Sequence, residues 1–273
     1  MAVNWKKAEE YIKAGKGKIE KTKYAHNTWN DETHTGTSVI KDEVLVLDAM
    51  AMKDICYLMP CPKSPHGCDV DPTGEYIVGS GKLAALIPVF SFDKMVKAIG
   101  KKDYEGDYEG IPVLKYNSVL HGEVQKPGLG PLHTEFDGKG NAYTTFFVSS
   151  EVVKWDIKTL KVLDRVPTYY SVGHLMIPGG DSKKPFGKYL VAYNKITKDR
   201  YLPTGPELTQ SAQLYDISGD KMKLLLDFPT IGEPHYAQAA PADLIRNNGQ
   251  LKIYDIKKNN HPRVAKGEKE TKV

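Results

Sequence analysis

Four of the eight histidines in this chain open similar short phrases and could bind a metal together. They are His66 in Ser-Pro-His-Gly, His133 in Pro-Leu-His-Thr, His174 in Val-Gly-His-Leu and His235 in Glu-Pro-His-Tyr. Neutral imidazole is a ligand for copper, zinc, iron and nickel, and copper binds such sites most tightly among the divalent first-row metals. A site built from histidine without cysteine therefore favours copper.

The remaining histidines and the cysteines show weaker patterns. His26 and His34 lie in a polar segment that could take calcium but is more typical of a solvated loop, and His121 and His261 are interpreted as surface residues. The three cysteines form an odd set whose spacing matches no zinc motif, so they are interpreted as buried or incidental thiols: Cys56, Cys61 and Cys68.

The elements that must position the four histidines are short strands. Periodicity predicts one helix, from Trp5 to Ala14, which ends at Gly15. Beyond it, short β-rich runs alternate with Asp-, Gly- and Pro-rich turns, which is typical of a sandwich, barrel or propeller. The predicted strands are Glu43–Leu47, Tyr76–Gly79, Ile87–Phe92, Ala142–Val148, Val152–Ile157, Tyr189–Tyr193, Gln213–Ile217, Lys223–Phe228 and Gln250–Tyr254.

Internal repetition favours the propeller. The phrases that begin at His66, His133 and His174 each continue into a turn and an aromatic-led strand. A second strand then ends in an aromatic residue and Asp, as in Phe90–Asp93 and Val153–Asp156. Repeats of this kind predict an all-β fold with about four to six blades of roughly 40–45 residues. Because blades repeat around one axis, the four histidines are expected to meet at one end of it.

Composition excludes some classes of protein. The net charge of +4 is mild, and the two basic terminal stretches, 13–23 and 252–272, lack the interleaved aromatic residues of a nucleic-acid interface. No apolar run is long enough to span a membrane, and the first residues do not form a signal peptide.

The phrases SPHGCDVDPTGEYIVGSGKL, GPLHTEFDGKGNAYTTFFVSSEVVKWDI, VGHL and GEPHYAQAAPADLI closely resemble nitrous oxide reductase. The resemblance runs from about Asn4 to Val273 and implies part of a seven-bladed β-propeller. It assigns residues 1–240 to the propeller and residues 241–273 to its last strand and to a linker toward a cupredoxin domain. On this interpretation the chain is a piece of a longer enzyme and is expected to be inactive alone.

The same resemblance implies a sulfide-bridged four-copper centre held by seven histidines, of which four match His66, His133, His174 and His235. It implies that Lys154 lies beside the centre and that Glu233 orients a ligand or relays a proton. The other three histidines and a dinuclear copper site would lie outside this chain, and calcium is a further candidate cofactor.

The implied reaction is the two-electron reduction of nitrous oxide to dinitrogen and water. The resemblance implies a periplasmic, head-to-tail homodimer that receives electrons from a c-type cytochrome or a cupredoxin through the cupredoxin domain. No nucleic-acid partner and no membrane span are expected.

Two other hypotheses remain open on the residues alone. A non-catalytic propeller scaffold would not need convergent histidines. A propeller hydrolase with one metal ion would carry Asp, Glu and Asn at the starts of its blades instead of histidine.

Overall fold

Short antiparallel strands dominate this computed structural model, which describes residues 1–26, 38–195, 210–230 and 233–241. The helices are α1 (Trp5–Lys13), α2 (Phe92–Lys101) and α3 (Tyr116–Val119). The strands are β1 (Ala2–Val3), β2 (Lys18–His26), β3 (Ser38–Val46), β4 (Cys56–Tyr57), β5 (Pro65–Val70), β6 (Tyr76–Gly81), β7 (Leu86–Ser91), β8 (Tyr104–Tyr108), β9 (Ile111–Leu114), β10 (Leu120–Gln125), β11 (Pro131–Phe136), β12 (Asn141–Phe146), β13 (Glu151–Asp156), β14 (Val162–Pro167), β15 (Val172–Met176), β16 (Tyr189–Asn194), β17 (Ser211–Asp216) and β18 (Lys223–Pro229).

Three four-stranded sheets form the framework of the described residues. Their strand orders are β5-β6-β7-β10, β11-β12-β13-β14 and β15-β16-β17-β18, so each strand pairs with the next one along the chain apart from one insertion. This is the arrangement of propeller blades. The prediction of an all-β partial propeller is confirmed, and the described residues contain three complete blades.

The chain divides into two compact units, Met1–Leu132 and the residues from His133 onward. The first unit contains the blade that begins with β5, together with α1 and the paired strands β2 and β3. The second unit contains the blade that begins with β15 and all but the start of the blade that begins with β11. Among the described residues, no helix is long and apolar enough to cross a bilayer.

The core of the second unit fills the space between its two blades. Tyr143 and Val152 of one blade pack with Val172, Leu190 and Tyr215 of the next, and all five side chains are at most 1% exposed. Burial on this scale contributes roughly 1.5–3 kcal/mol for each large apolar side chain. The core therefore packs β12 and β13 of one blade against β15, the first strand of the next.

Helix α2 was not predicted, because Phe90–Asp93 was interpreted as the end of a strand followed by a turn. The strand ends at Ser91, whose hydroxyl accepts a hydrogen bond from the Lys94 amide and so caps the helix. Met95 and Ala98, three residues apart, bury one face of the helix. The helix begins an insertion in the sequence between β7 and β10. The two strands are still neighbours in the sheet, and β10 is the fourth strand of the blade.

The strands that carry the histidines were also left unassigned by the sequence analysis. His66, His133 and His174 lie within β5, β11 and β15, the first strand of each blade. Their apolar residues are interrupted by histidine, glycine, proline or acidic residues, as in Pro-His-Gly-Cys-Asp-Val, so they do not form the β-rich runs that identified the others. The last predicted strand, Gln250–Tyr254, lies outside the described residues.

Replacing Ser91 with alanine should destabilise the first unit. The Ser91 hydroxyl, which is almost fully buried, also donates a 2.5 Å hydrogen bond to Glu75, so the variant loses a cap and a second bond. The loss of a helix cap lowers the free energy of unfolding by about 1–2 kcal/mol, which chemical denaturation would measure. Lys97→Ala is the control, since it removes only an exposed ion pair on the same helix. An equal effect of the two substitutions would contradict the capping role.

Candidate metal centre

Three of the four predicted histidines lie together in the second unit. The rings of His133 and His174 stack with their centroids 3.7 Å apart and their planes at 20°. The ring of His235 lies 4.8 Å from that of His174, at 42°. The predicted convergence of these three residues is therefore observed, and we call them the histidine cluster.

A β-bulge places His174 in the cluster. On β15, Val172 pairs with Asn194 and Leu175 pairs with Ala192, so Gly173 and His174 together face a single residue of β16. A bulge bends a strand locally and redirects its side chains. The neighbours of His174 on β15 are buried, whereas its own side chain is half-buried at the edge of the core.

His66 lies at the same kind of bulge in the first unit. On β5, Pro65 pairs with Gly81 and Cys68 pairs with Gly79, so His66 and Gly67 face one residue of β6. The His66 side chain is exposed. The two blades thus present a histidine beside a glycine at an equivalent bulge of the first strand.

The donor atoms of the cluster suit copper but not one isolated ion. Nε2 of His133 and Nδ1 of His174 are both buried, and neutral imidazole nitrogen is a good copper ligand. Two stacked rings do not direct their nitrogens at one point, and the described residues contain no group of three or more His, Cys, Asp or Glu arranged around a single ion. The set fits neighbouring metal ions, each bound by different imidazoles.

Glu233 and Lys195 contact opposite nitrogens of His235. The Glu233 carboxylate lies 3.5 Å from Nδ1, and the Lys195 ammonium lies 3.4 Å from Nε2. This arrangement favours the tautomer with its proton on Nδ1, so that Nε2 carries the lone pair. The lone pair of Nε2 therefore points toward the Lys195 ammonium. A metal ligand likewise needs a lone pair that is directed at a cation.

Lys195 is the functional residue that the sequence analysis missed. It directly follows β16, is 5% exposed, and donates its backbone N–H to the Ser171 carbonyl. Its aliphatic stem covers Gly173, where an added Cβ would lie 2.2 Å from the Lys195 Cε. Gly173, directly before His174, was the one signal in the sequence, because a residue without a Cβ leaves room for another side chain beside the histidine.

Lys154, which the resemblance placed beside the copper centre, is held elsewhere in the structure. Its ammonium donates hydrogen bonds of 3.1 and 3.2 Å to the carbonyl groups of Gly219 and Asp220, in the turn between β17 and β18. It thereby joins β13 to the neighbouring blade. In the described residues the lysine that contacts the cluster is Lys195, and a role for Lys154 beside a copper centre stays a prediction.

The segment that carries His235 has no regular secondary structure and is held by side chains. Gln238 donates hydrogen bonds to the Asp181 carboxylate at 2.7 Å and to the Tyr236 hydroxyl at 2.8 Å. The Tyr236 ring packs edge-on against His174 with centroids 5.2 Å apart, and burial raises the pKa of its hydroxyl. We call Asp181, Tyr236 and Gln238 the latch.

The latch borders a cavity of about 220 Å³ in the same unit. Glu135, two residues after His133, lines this cavity, is 6% exposed and accepts a hydrogen bond from the Ile177 N–H. Burial, with Glu135 nearby, raises the pKa of Tyr193 to about 12, so this phenol stays protonated at neutral pH. A buried carboxylate and a neutral phenol thus lie close to the histidine-bearing strands.

Of the other histidines, two lie in the first unit and two lie outside the described residues. His121 is half-buried, and its ring lies 4.8 Å from Tyr76 in the first unit. His26 ends β2. His34 and His261 lie outside the described residues.

Removing the latch should loosen the segment from 233 to 241. In Asp181→Ala, Gln238 and Tyr236 lose their shared acceptor, so amide hydrogen exchange in this segment should become faster while the blade strands stay protected. Lys183→Ala, an exposed change in the same loop, is the control. Unchanged exchange in the Asp181 variant would show that other contacts hold His235.

Comparison with known proteins identifies relatives of this chain. Residues 165–235 match the nitrous oxide reductase propeller repeat, a span that contains His174, Lys195 and His235. Proteins named nitrous-oxide reductase from Stutzerimonas stutzeri, Pseudomonas fluorescens and Ralstonia nicotianae are 39%, 37% and 39% identical to it, over 72%, 69% and 64% of this chain.

Those matches cover 30%, 29% and 27% of the relatives, so the chain spans about a third of the length of the curated proteins it resembles. The match to the propeller repeat and the several similar relatives agree with the three blades of the structure. The chain belongs to the nitrous oxide reductase family and represents part of its propeller.

Proposed function

We propose that this chain supplies histidine ligands to a copper centre that reduces nitrous oxide to dinitrogen and water. The observation that carries the proposal is the meeting of His133, His174 and His235, with the ammonium of Lys195 in contact with His235. The relatives named nitrous-oxide reductase support the choice of substrate. Bound copper would supply the two electrons and the binding site for the substrate.

The protein side of the reaction follows from the residues around the cluster. Cleavage of the N–O bond leaves negative charge on oxygen, which needs a nearby cation or hydrogen-bond donor. Lys195, buried and adjacent to the cluster, is placed to donate a hydrogen bond to that oxygen. Glu233 holds the proton on Nδ1 of His235 and so keeps Nε2 available to copper.

The finer assignments rest on the resemblance alone. We propose that His66 joins the same centre, that the centre is a sulfide-bridged four-copper cluster, and that residues 1–240 and 241–273 are the propeller and its linker. A periplasmic homodimer, electron delivery through a dinuclear copper site by a c-type cytochrome or cupredoxin, and a calcium ion belong to the same proposal.

The geometry disfavours the two other hypotheses. A hydrolase with one metal ion needs ligands that converge on one point, which the stacked rings of His133 and His174 do not provide. A scaffold propeller has no need for a lysine buried against histidine. Copper chemistry accounts for both features.

Copper binding tests the proposal directly. The purified chain should bind Cu(II), and His174→Ala should weaken binding by about 10-fold or more, because the central ring of the cluster is lost. His121→Ala is the matched control, since its ring lies against Tyr76 in the other unit. Titration followed by electron paramagnetic resonance measures both. Equal copper affinity in the two variants would contradict the proposal.

The two buried lysines give a second test. Lys195→Met should change the spectrum of the copper-loaded protein and, in the complete enzyme, lower turnover by roughly 100-fold, as loss of an electrostatic donor does. Lys154→Met should reduce thermal stability, because two carbonyl groups lose their donor, but should leave the copper spectrum unchanged. If Lys154→Met alters the copper spectrum and Lys195→Met does not, Lys154 is the lysine of the site.

A further inference from the structure

We infer that Thr145 is a positioning residue that fixes the spacing between His133 and His174, an inference that rests on the proposed function for its meaning. Thr145 lies on β12 and is fully buried. Its hydroxyl donates a 2.5 Å hydrogen bond to the Gly173 carbonyl and lies 3.5 Å from the His133 carbonyl. One side chain therefore contacts the backbone of both histidine-bearing strands.

The bond to Gly173 reaches the bulge itself. Gly173 and His174 are displaced from regular pairing with β16, so the ladder does not organise this part of the backbone. Lys195 covers the α-carbon of Gly173, and Thr145 holds its carbonyl. The residue before His174 is thus fixed by two side chains, one from its own blade and one from the neighbouring blade.

The same hydroxyl also contacts the backbone carbonyl of His133. His133 lies on β11, the strand next to β12 in its own sheet. Because the side chain of Thr145 is β-branched, it has few rotamers and holds its hydroxyl in one direction. Within the frame that the apolar core provides, this bridge sets the spacing of the two strands and so adjusts the stacking of the two imidazoles, whose centroids are 3.7 Å apart.

The position of Thr145 recurs in the other blades. It is the fifth residue of β12, and the fifth residues of β6 and β16 are Ser80 and Tyr193. The strand pairing shows that Ser80 and Tyr193 lie opposite the bulges that contain His66 and His174. All three positions carry a hydroxyl and are at most 8% exposed. A buried hydroxyl opposite the histidine is therefore a repeated feature of these blades.

Thr144 provides a matched control on the same strand. It is also fully buried, and its hydroxyl bonds to Thr134 at 2.7 Å and to the Trp155 indole at 2.9 Å. Thr144→Val and Thr145→Val remove the same atom from adjacent residues. Only Thr145 contacts the backbone beside the cluster, so only its loss should change the histidines.

The first readout needs no metal. In the metal-free full chain, nuclear Overhauser contacts between the ring protons of His133 and His174 report the stacking. These contacts should be present in the wild type and in Thr144→Val, lost in Thr145→Val, and restored in Thr145→Ser, which keeps the hydroxyl. If Thr145→Val does not fold, Thr145→Cys replaces it, since its thiol is a weak donor.

The second readout is Cu(II) affinity and the paramagnetic resonance spectrum of the loaded chain. Thr145→Val should bind Cu(II) about 10- to 100-fold more weakly, the usual effect of losing an outer contact to a metal ligand, and its spectrum should broaden. Thr145→Ser and Thr144→Val should match the wild type. A merely structural role would lower the melting temperature of both valine variants without this difference.

The two readouts separate the inference from the proposed function. If the wild type binds no copper but the ring contacts vanish in Thr145→Val, the positioning role holds and the copper proposal fails. If the folded Thr145→Val or Thr145→Cys variant keeps both the ring contacts and the wild-type copper affinity, the positioning role is overturned. Equal losses in Thr144→Val and Thr145→Val would overturn it as well.

Discussion

Packing between two neighbouring blades is the interaction on which the candidate site depends. The buried side chains between them, with Tyr143 and Tyr215 among the largest, hold β12, the neighbour of β11, against β15. Neither histidine strand could form the cluster alone, because each contributes one ring from a different sheet. The free energy that fixes the rings therefore comes from apolar burial, and the polar contacts adjust their spacing.

The candidate site also contains a buried charge, which apolar packing alone does not explain. An ammonium as buried as that of Lys195 loses most of its hydration, and proteins retain such groups when partners or a function compensate for the cost. The ammonium of Lys195 contacts His235, and its aliphatic stem covers Gly173, so both parts of the side chain lie against the cluster or the strand that carries it. Lys154 is equally buried, yet its charge is satisfied by carbonyl groups in a turn and serves to join two blades.

Repetition in the sequence was enough to predict the propeller and the meeting of three of the four histidines. The strands bounded by clear turn residues, such as β13 and β17, lie within one or two residues of their predicted bounds. The same approach missed β5, β11 and β15, because proline, glycine, histidine or acidic residues interrupt their apolar residues. Helix α2 was missed because its cap, Ser91, also ends a strand.

The contact of Lys195 with the cluster could not be predicted from the sequence, since nothing in a local phrase distinguishes a lysine that bonds to carbonyl groups from one that faces an imidazole. That distinction depends on the strand register, which sets Lys195 beside Ser171 and Gly173. The bulges at His66 and His174 were equally hidden, since a bulge is a property of two paired strands.

The claim that the histidine cluster holds copper is tested most directly by anomalous diffraction at the copper edge from crystals of the chain grown with copper. The account predicts an anomalous peak roughly 2 Å from a ring nitrogen of His133, His174 or His235, the length of a metal–imidazole bond. Peaks at His121 or at the exposed thiols Cys61 and Cys68, with none at the cluster, would contradict it.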